Sequence, residues 1–217
     1  MSTRGAAVLT APGHGDEDDR AVPSRIESLS RIERIAAGPG WKSAAVDVAG
    51  RLFTWGAAQF EGRLDIPNGF GYAMDQTTEC QPTPKRVDAL SQDRVVGVAF
   101  GDSFTLAMTD DGTVFSFGCS RYGELGHGSL NRELPRQIEA LLQMGQRFVG
   151  VAAGERHALA LTKEGGLYGW GDRDANSHGR QESTPCRVAA RIGQRIKLVD
   201  AQAGASCAVT EKSELFT

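Results

Sequence analysis

The 217-residue sequence predicts an all-β chain, a β-propeller built from four-stranded antiparallel blades. Three observations predict it: a sequence repeat 50 to 60 residues long, short strand-like segments bounded by glycine inside each repeat, and strands that are apolar on both faces.

The repeat comes first. The stretch GERHALALTKEGGLYGWG (154–171) has a second copy in GDSFTLAMTDDGTVFSFG (101–118), of equal length and with glycines at its start, turn and end. A third copy, GPGWKSAAVDVAGRLFTWG (38–56), carries one extra residue, and a fourth, GASCAVTEKSELFT, runs from Gly204 to Thr217. Upstream of each, a proline stands three residues before a β-branched residue: Pro23 and Ile26, Pro84 and Val87, Pro135 and Ile138, Pro185 and Val188. The prolines recur at intervals of 61, 51 and 50 residues, and Gly38, Gly101, Gly154 and Gly204 at 63, 53 and 50, so two markers give one period. Repeats of this length build propellers or arrays.

Within one repeat, RFVGVAAG (147–154) and HALALT (157–162) are short, rich in Val, Leu and Ala, and bounded by glycine. GLYGWG (166–171) follows a Lys-Glu-Gly turn in which Gly165 supplies the positive φ that a tight hairpin needs. Adding PCRV (185–188) or PRQIEAL (135–141) gives about four strands per unit, and no window sustains a period of 3.6. Ala158 to Leu161 run without a polar break, as do Val114, Phe115 and Phe117 around Ser116. A sheet with one wet face alternates apolar with polar, so both faces are covered here, as in four-stranded sheets stacked around an axis.

The recurring pattern is Ala-Gly, two residues, His, a small residue, an apolar run, Gly and Trp-Gly. A loop such as SRYGELGHG (120–128) and a Thr-Pro entry to the next unit follow it. It resembles the repeats of the regulator of chromosome condensation family over about residues 23–217. The resemblance implies a seven-bladed propeller, of which the chain holds about three and a half blades. The His column reads Lys42, Phe104, His157 and Cys207, and the loop after Gly171, DRDANSHGRQES, lacks the Gly-x-Leu-Gly of residues 123–126. The final ELFT matches RLFT at 51–54, which runs on into Trp55-Gly56, so the propeller is expected to be cut within a repeat at the C-terminus and the reading frame to continue with an aromatic residue and Gly.

Residues 1–22, with Asp16, Glu17, Asp18 and Asp19 and no apolar periodicity, read as a disordered acidic tail ahead of the propeller at 23–217. The family's founding exchange factor holds DNA with a basic tail. Here two arginines face four acids and the net charge is -3, so direct nucleic-acid binding is not expected. No apolar run approaches the length of a membrane span, and the N-terminus has no secretory signal. Cys80, Cys119, Cys186 and Cys207 show neither a Cys-x-x-Cys pair nor histidine at metal-ligand spacing, so they read as reduced thiols of an intracellular protein, cytoplasmic or nuclear, with no metal or cofactor.

Several groups resemble catalytic sites. AFGDSFTL (99–106) looks like the Gly-Asp-Ser block of one esterase family with Ser103 as nucleophile, yet the accompanying base pair is represented only by Asp174 and His178, spaced one residue too far apart. GASCA (204–208) resembles a nucleophile elbow but lies on a repeat turn with no helix pattern after it. His157, beside Glu155 and Arg156, could act as acid or base, but a repeat-column histidine satisfies backbone groups between blades. Trp41, in GWKS, resembles the tryptophan motif of plant ultraviolet-sensing propellers, which need several such tryptophans clustered.

Function is therefore sought in the loops that the repeats do not share. The longest connection, Ala57 to Thr83, holds Phe60, Phe70, Tyr72 and Met74, read as aromatic and apolar anchors for a protein partner on a loop that projects from the ring. The favoured reading is a non-catalytic protein–protein interaction propeller, a scaffold or regulatory module of a longer protein. One alternative, implied by the resemblance, is guanine-nucleotide exchange on a Ran-like small GTPase; another is a Gly-Asp-Ser esterase. An open partial ring exposes strand edges, so this chain alone is expected to self-associate.

Overall fold

The computed structural model describes residues 13–15, 22–39, 42–57, 69–72, 80–128, 131–172, 182–188 and 193–217. Among these residues, three four-stranded antiparallel sheets and one three-stranded sheet follow one another, each a simple meander. Sheet 1 comprises β1 (Ile32–Gly38), β2 (Lys42–Asp47), β3 (Leu52–Ala57) and β4 (Cys80–Arg86); sheet 2 comprises β5 (Val95–Phe100), β6 (Phe104–Thr109), β7 (Val114–Gly118) and β8 (Arg132–Gln137). Sheet 3 comprises β9 (Phe148–Ala153), β10 (His157–Thr162), β11 (Leu167–Gly171) and β12 (Glu182–Arg187), and sheet 4 comprises β13 (Ile196–Gln202), β14 (Ala205–Thr210) and β15 (Leu215–Phe216). The first strands of consecutive sheets lie against one another, β1 on β5, β5 on β9 and β9 on β13, and so form the axial side of the partial propeller. A 3-10 turn at Asp88–Leu90 and a short helix α1 at Glu139–Gln143 link outer strands back to the axis.

The apolar cores lie between sheets, which is why the middle strands carry no polar face. Ala44, Val46 and Leu52 of sheet 1 meet Val95, Phe100, Ala107 and Phe117 of sheet 2. Leu106, Met108 and Val114 of sheet 2 meet Ala158, Ala160 and Trp170 of sheet 3, and Leu159, Leu161 and Leu167 of sheet 3 meet Ile196 and Ala208 of sheet 4. Alanines on one surface opposite leucines on the other let sheets approach closely.

Two boundaries differ from the sequence reading. Pro84, Pro135 and Pro185 do not open a unit; they lie in β4, β8 and β12, the outermost strands, and so close the preceding sheet. An outermost strand is where proline's missing N–H does least harm. The second boundary is N-terminal. Gly13 to Gly15, assigned from composition to a tail, lies on the free side of sheet 1. A Cβ on Gly13 would stand 2.8 Å from both Ile26 Cδ1 and Trp55 Nε1, and Gly15 N–H donates to Pro82 O at 3.0 Å. Gly126 stands likewise against Ile138 and Trp170, and Gly128 N–H donates to Ser183 O at 3.0 Å. Gly-His-Gly at 13–15 thus repeats Gly-His-Gly at 126–128, in sequence and in place.

Candidate interaction surface

Meandering sheets give the partial ring two ends. At one end lie the hairpins that follow β2, β6, β10 and β14 and the links from outer to inner strands. At the other lie the turns between first and second strands and the long connections after β3, β7 and β11.

The hairpin end is uniform. Arg94, Arg147 and Arg195 each stand just before an inner strand and donate to a carbonyl in the hairpin of the preceding sheet: Arg94 Nη1 to Val48 O at 2.7 Å, Arg147 Nη2 to Asp110 O at 2.6 Å, Arg195 Nε to Glu164 O at 2.8 Å. The arginine stems and the backbone beside them press on the turn glycines Gly50, Gly112 and Gly165, which hold φ of 81°, 92° and 82°. A Cβ on Gly165 would meet Arg195 Cβ at 2.7 Å, so the positive φ and the neighbour both require glycine. The sequence reading passed over this arginine column; Arg-Val, Arg-Phe and Arg-Ile at 94–95, 147–148 and 195–196, with Arg31-Ile32 ahead of β1, were its signal.

The long-loop end adds side-chain ties that differ from seam to seam to backbone bonds between turns that two seams share. Between sheets 1 and 2, Lys42 Nζ donates to Gly101 O at 3.2 Å and to Asp102 O. Between sheets 2 and 3, Asp102 N–H donates to Glu155 O at 3.1 Å. Between sheets 3 and 4, Glu155 N–H donates to Ala203 O at 2.7 Å, and His157 Nε2 is 2.7 Å from Ser206 Oγ. His157 is thus a buried clip between sheets, with burial lowering its pKa against the opposing charge of Asp172. Strand register assigns Lys42, Phe104, His157 and Ala205 to one column, opposite Gly56, Gly118 and Gly171 in the first three sheets. Cys207 does not belong to it, because the counterpart of Gly154 in sheet 4 is Gln202 and not Gly204, so the column falls two residues earlier.

Plugs from the long connections fill two seams. Leu125 is fully buried, and its carbonyl accepts Ser116 Oγ at 2.6 Å. Phe70 is equally buried, and its carbonyl accepts Thr54 Oγ1 at 2.8 Å, Thr54 and Ser116 being equivalent positions on β3 and β7. Each plug is followed by a glycine of positive φ, Gly126 at 72° and Gly71 at 86°. Tyr72 stacks on Phe70 with ring centroids 5.9 Å apart, donates its hydroxyl to Thr54 O at 3.0 Å and carries Lys85 Nζ 4.2 Å above its ring. Two of the four expected anchors, Phe70 and Tyr72, are therefore core residues and are not presented to a partner. Phe60 and Met74 lie outside the described residues, as do Trp41, Asp174 and His178. The signal was available: Gly-Phe-Gly at 69–71 parallels Glu-Leu-Gly at 124–126.

Ser103 is buried, and its hydroxyl hydrogen-bonds Cys119, whose thiol burial pushes up. It belongs to the turn that carries Asp102 to Glu155, as the repeat columns require. The four cysteines, all among the described residues, form no disulfide. Among the described residues no group of His, Cys, Asp or Glu is placed to hold a metal ion, and no helix is long and apolar enough to cross a membrane.

At the surface of the long-loop end lies a shallow indentation between the turns of sheets 2 and 3, lined in part by Asp102, Arg121, Tyr122, Glu155 and Arg156. The Arg156 guanidinium lies 5.0 Å over the Tyr122 ring and 3.1 Å from Glu155. At its base Glu124 is buried, its carboxylate accepting Tyr122 N–H at 2.7 Å and its carbonyl accepting Trp170 Nε1–H at 2.7 Å. Burial pushes the Glu124 carboxyl up to about 7, and Lys42 is brought down to about 8 by burial, against the attraction of Asp102.

Known proteins resemble both the sequence and the fold. The regulator of chromosome condensation (RCC1) repeat model matches residues 49–108 and 111–161, and a second RCC1 repeat model matches 95–124 and 148–180. The chain is 37% identical over 214 residues to the E3 ubiquitin-protein ligase HERC2 of Homo sapiens, covering 94% of this chain and 4% of HERC2. Human WBSCR16 superposes with a TM-score of 0.74 at 20% identity, over 90% of this chain and 49% of that one. Prp20p of Saccharomyces cerevisiae, described with its binding to Gsp1p and histones, superposes at 0.66 and 22% identity, over 81% and 42%. At these identities the structural likeness establishes the fold, and the chain spans half or less of each relative. The repeat models begin and end inside sheets, 49–108 running from the β2–β3 hairpin to β6, so each sequence repeat staples the outer half of one blade to the inner half of the next. Repeat, register and fold agree: the chain belongs to the regulator of chromosome condensation (RCC1) repeat family.

Proposed function

We propose that this chain is a non-catalytic protein-interaction module, a scaffold or regulatory part of a longer protein, which engages its partner through the long-loop end. One observation carries this reading. The groups with chemical potential at that end are buried and engaged, Lys42 and His157 in tying neighbouring sheets and Ser103 and Glu124 in hydrogen bonds within their own sheet and loop, whereas the exposed or half-exposed Arg121, Tyr122, Glu155 and Arg156 differ from blade to blade. Tyr and Arg are the residue types that anchor protein interfaces. Net charge of -3 argues against a nucleic-acid partner, and thiols without disulfides suit the cytoplasm or nucleus.

The test is capture from cells by proximity labelling. Tyr122→Ala with Arg156→Ala should strip partners that Arg147→Ala, at the opposite end, retains; equal loss from both would overturn the assignment of the end.

A second reading, guanine-nucleotide exchange on a Ran-like small GTPase, is favoured by the likeness to Prp20p, a protein described as binding Gsp1p. A fluorescent-nucleotide release assay separates the two. Partner binding alone predicts no acceleration, and strong acceleration lost with the long-loop variants would establish exchange.

A further inference from the structure

The column that opens the second strand of each sheet leaves one seam without a side-chain tie. Lys42 Nζ crosses from sheet 1 to Gly101 O at 3.2 Å and to Asp102 O, and His157 Nε2 meets Ser206 Oγ of sheet 4 at 2.7 Å. Phe104, the member of the column in sheet 2, has no side-chain donor. Its ring lies back over Gly101 of its own turn, where a Cβ would stand 1.9 Å from Phe104 Cε1.

The acceptors that Lys42 uses nevertheless recur one sheet further on. Gly101 N–H donates to Phe104 O at 2.9 Å, and Gly154 N–H to His157 O at 3.0 Å. Asp102 N–H and Glu155 N–H each donate to the following turn, at Glu155 O and Ala203 O. The Gly154–Glu155 turn is therefore the counterpart of Gly101–Asp102, at a seam where the column supplies no ammonium.

The indentation at that seam encloses about 10 Å³, room for one water-sized body. Ser103 and Glu124, both buried, form its floor, and the exposed Arg121 stands at its rim. Its charges favour a cation. Asp102, Glu124 and Glu155 line it and Asp172 acts on Glu124 from the end of β11, against Arg121, Arg156 and, across Asp102 in the other seam, Lys42. Arg156 is already engaged with Glu155 at 3.1 Å and with the Tyr122 ring.

We propose that this indentation receives the ammonium of a lysine presented by the protein partner, joining the Gly154–Glu155 turn to Glu124 as Lys42 Nζ joins sheet 1 to Gly101 and Asp102. The assignment rests on the long-loop end being the partner surface, and it names the chemistry that enters there. An ammonium is a compact point charge on a flexible stem, whereas the planar guanidinium of arginine exceeds the space. Donation from a charged group to sheltered acceptors is the stronger class of hydrogen bond.

The test uses the 217-residue chain at pH 8, above the Glu124 midpoint near 7, with Nα-acetyl-lysine methylamide as the probe and backbone amide shifts as the readout. Saturable shifts should appear at Tyr122, Glu155 and Arg156. Glu124→Gln, which keeps an acceptor for the Tyr122 N–H, should weaken the probe about tenfold. The arginine and norleucine analogues should bind the parent about tenfold more weakly than the lysine probe. Equal binding of the arginine analogue would deny the size of the site, equal binding of the norleucine analogue would deny its charge, and either would overturn the proposal. So would the absence of saturable shifts, or saturation that Glu124→Gln leaves unchanged. Such a failure beside partner capture that still depends on Tyr122 and Arg156 strikes the lysine alone; loss of that dependence strikes the partner surface itself.

Discussion

The two ends of the partial ring are held together by opposite strategies. At the hairpin end one device, an arginine reaching back to a carbonyl over a left-handed glycine, recurs at all three seams. At the long-loop end a backbone bond between turns serves two seams and a plug fills two, while the side-chain ties differ: an ammonium on two carbonyls between sheets 1 and 2, an imidazole on a hydroxyl between sheets 3 and 4. A device that repeats can be lost at one seam and kept at others. The plugs of the long-loop end are fully buried whereas the arginines are about half exposed, so substitution of a plug should be more damaging than loss of a clamp.

The largest expected effect tests whether the long connections are structure or appendage. Phe70 is fully buried in the core between sheets 1 and 2, so Phe70→Ala should cost about 3–5 kcal/mol, read as a lowered denaturant midpoint at constant slope. Leu125→Ala, its counterpart in the next seam, should cost about 2–5 kcal/mol. A Phe70 variant as stable as the parent would return residues 69–72 to the role of a projecting loop. Replacing 62–78 wholesale with a flexible linker, harmless on the sequence reading, removes this plug and should destabilise as Phe70→Ala does.

The next effects are electrostatic and run in opposite directions along the pH scale. Glu124 titrates near 7 in the folded chain against an ordinary 4.5, so its contribution is fully present below pH 4.5 and is lost as pH rises through 7. Glu124→Gln should flatten that decline and raise stability at pH 8, by on the order of 3 kcal/mol. Lys42 titrates near 8 against 10.5, so its contribution is present above pH 10.5 and lost as pH falls through 8. Lys42→Met should abolish the gain between pH 8 and 10.5, and it takes from the Gly101 and Asp102 carbonyls the donor that joins sheets 1 and 2. Thermal melts of both variants across pH would show whether either group is tied to its seam as described.

Much of this was legible in the sequence because the repeat is a physical requirement: the middle of a strand covered on both faces is apolar without a break, as Ala158 to Leu161 and Leu106 to Met108 are. The structural role of His157 and Ser103 followed from their columns. Blade boundaries were less legible, since proline announces an outermost strand but not which sheet owns it, and the staple between neighbouring blades makes either choice periodic. The partner anchors were misplaced for a related reason. Phe70 replaces the leucine of a plug, and an aromatic residue among glycines in a long connection has the composition of an exposed loop. Only its carbonyl's bond to Thr54 and the glycine after it mark it as core. The same applies to Gly13 to Gly15, whose acidic neighbours at 16–19 outweighed a three-residue match.

The smallest effects belong to the uniform end, and they test the comparison most directly. Arg94→Met keeps an apolar stem against Gly50 and removes the bond to Val48 O, which is worth about 1 kcal/mol for a charged donor whose side chain is itself nearly half exposed. Arg147→Met and Arg195→Met remove the equivalent bonds to Asp110 and Glu164. The three clamps stand at different seams, so their losses should add to about 3 kcal/mol for the triple variant, apart from coupling between Arg94 and Arg147, which both reach Asp110. Losses well beyond that sum would mean that the seams are coupled through the axial strands and that the hairpin end is one cooperative ring segment. Additivity would leave the clamps as independent, exchangeable parts, with the long-loop end carrying what is particular to this chain.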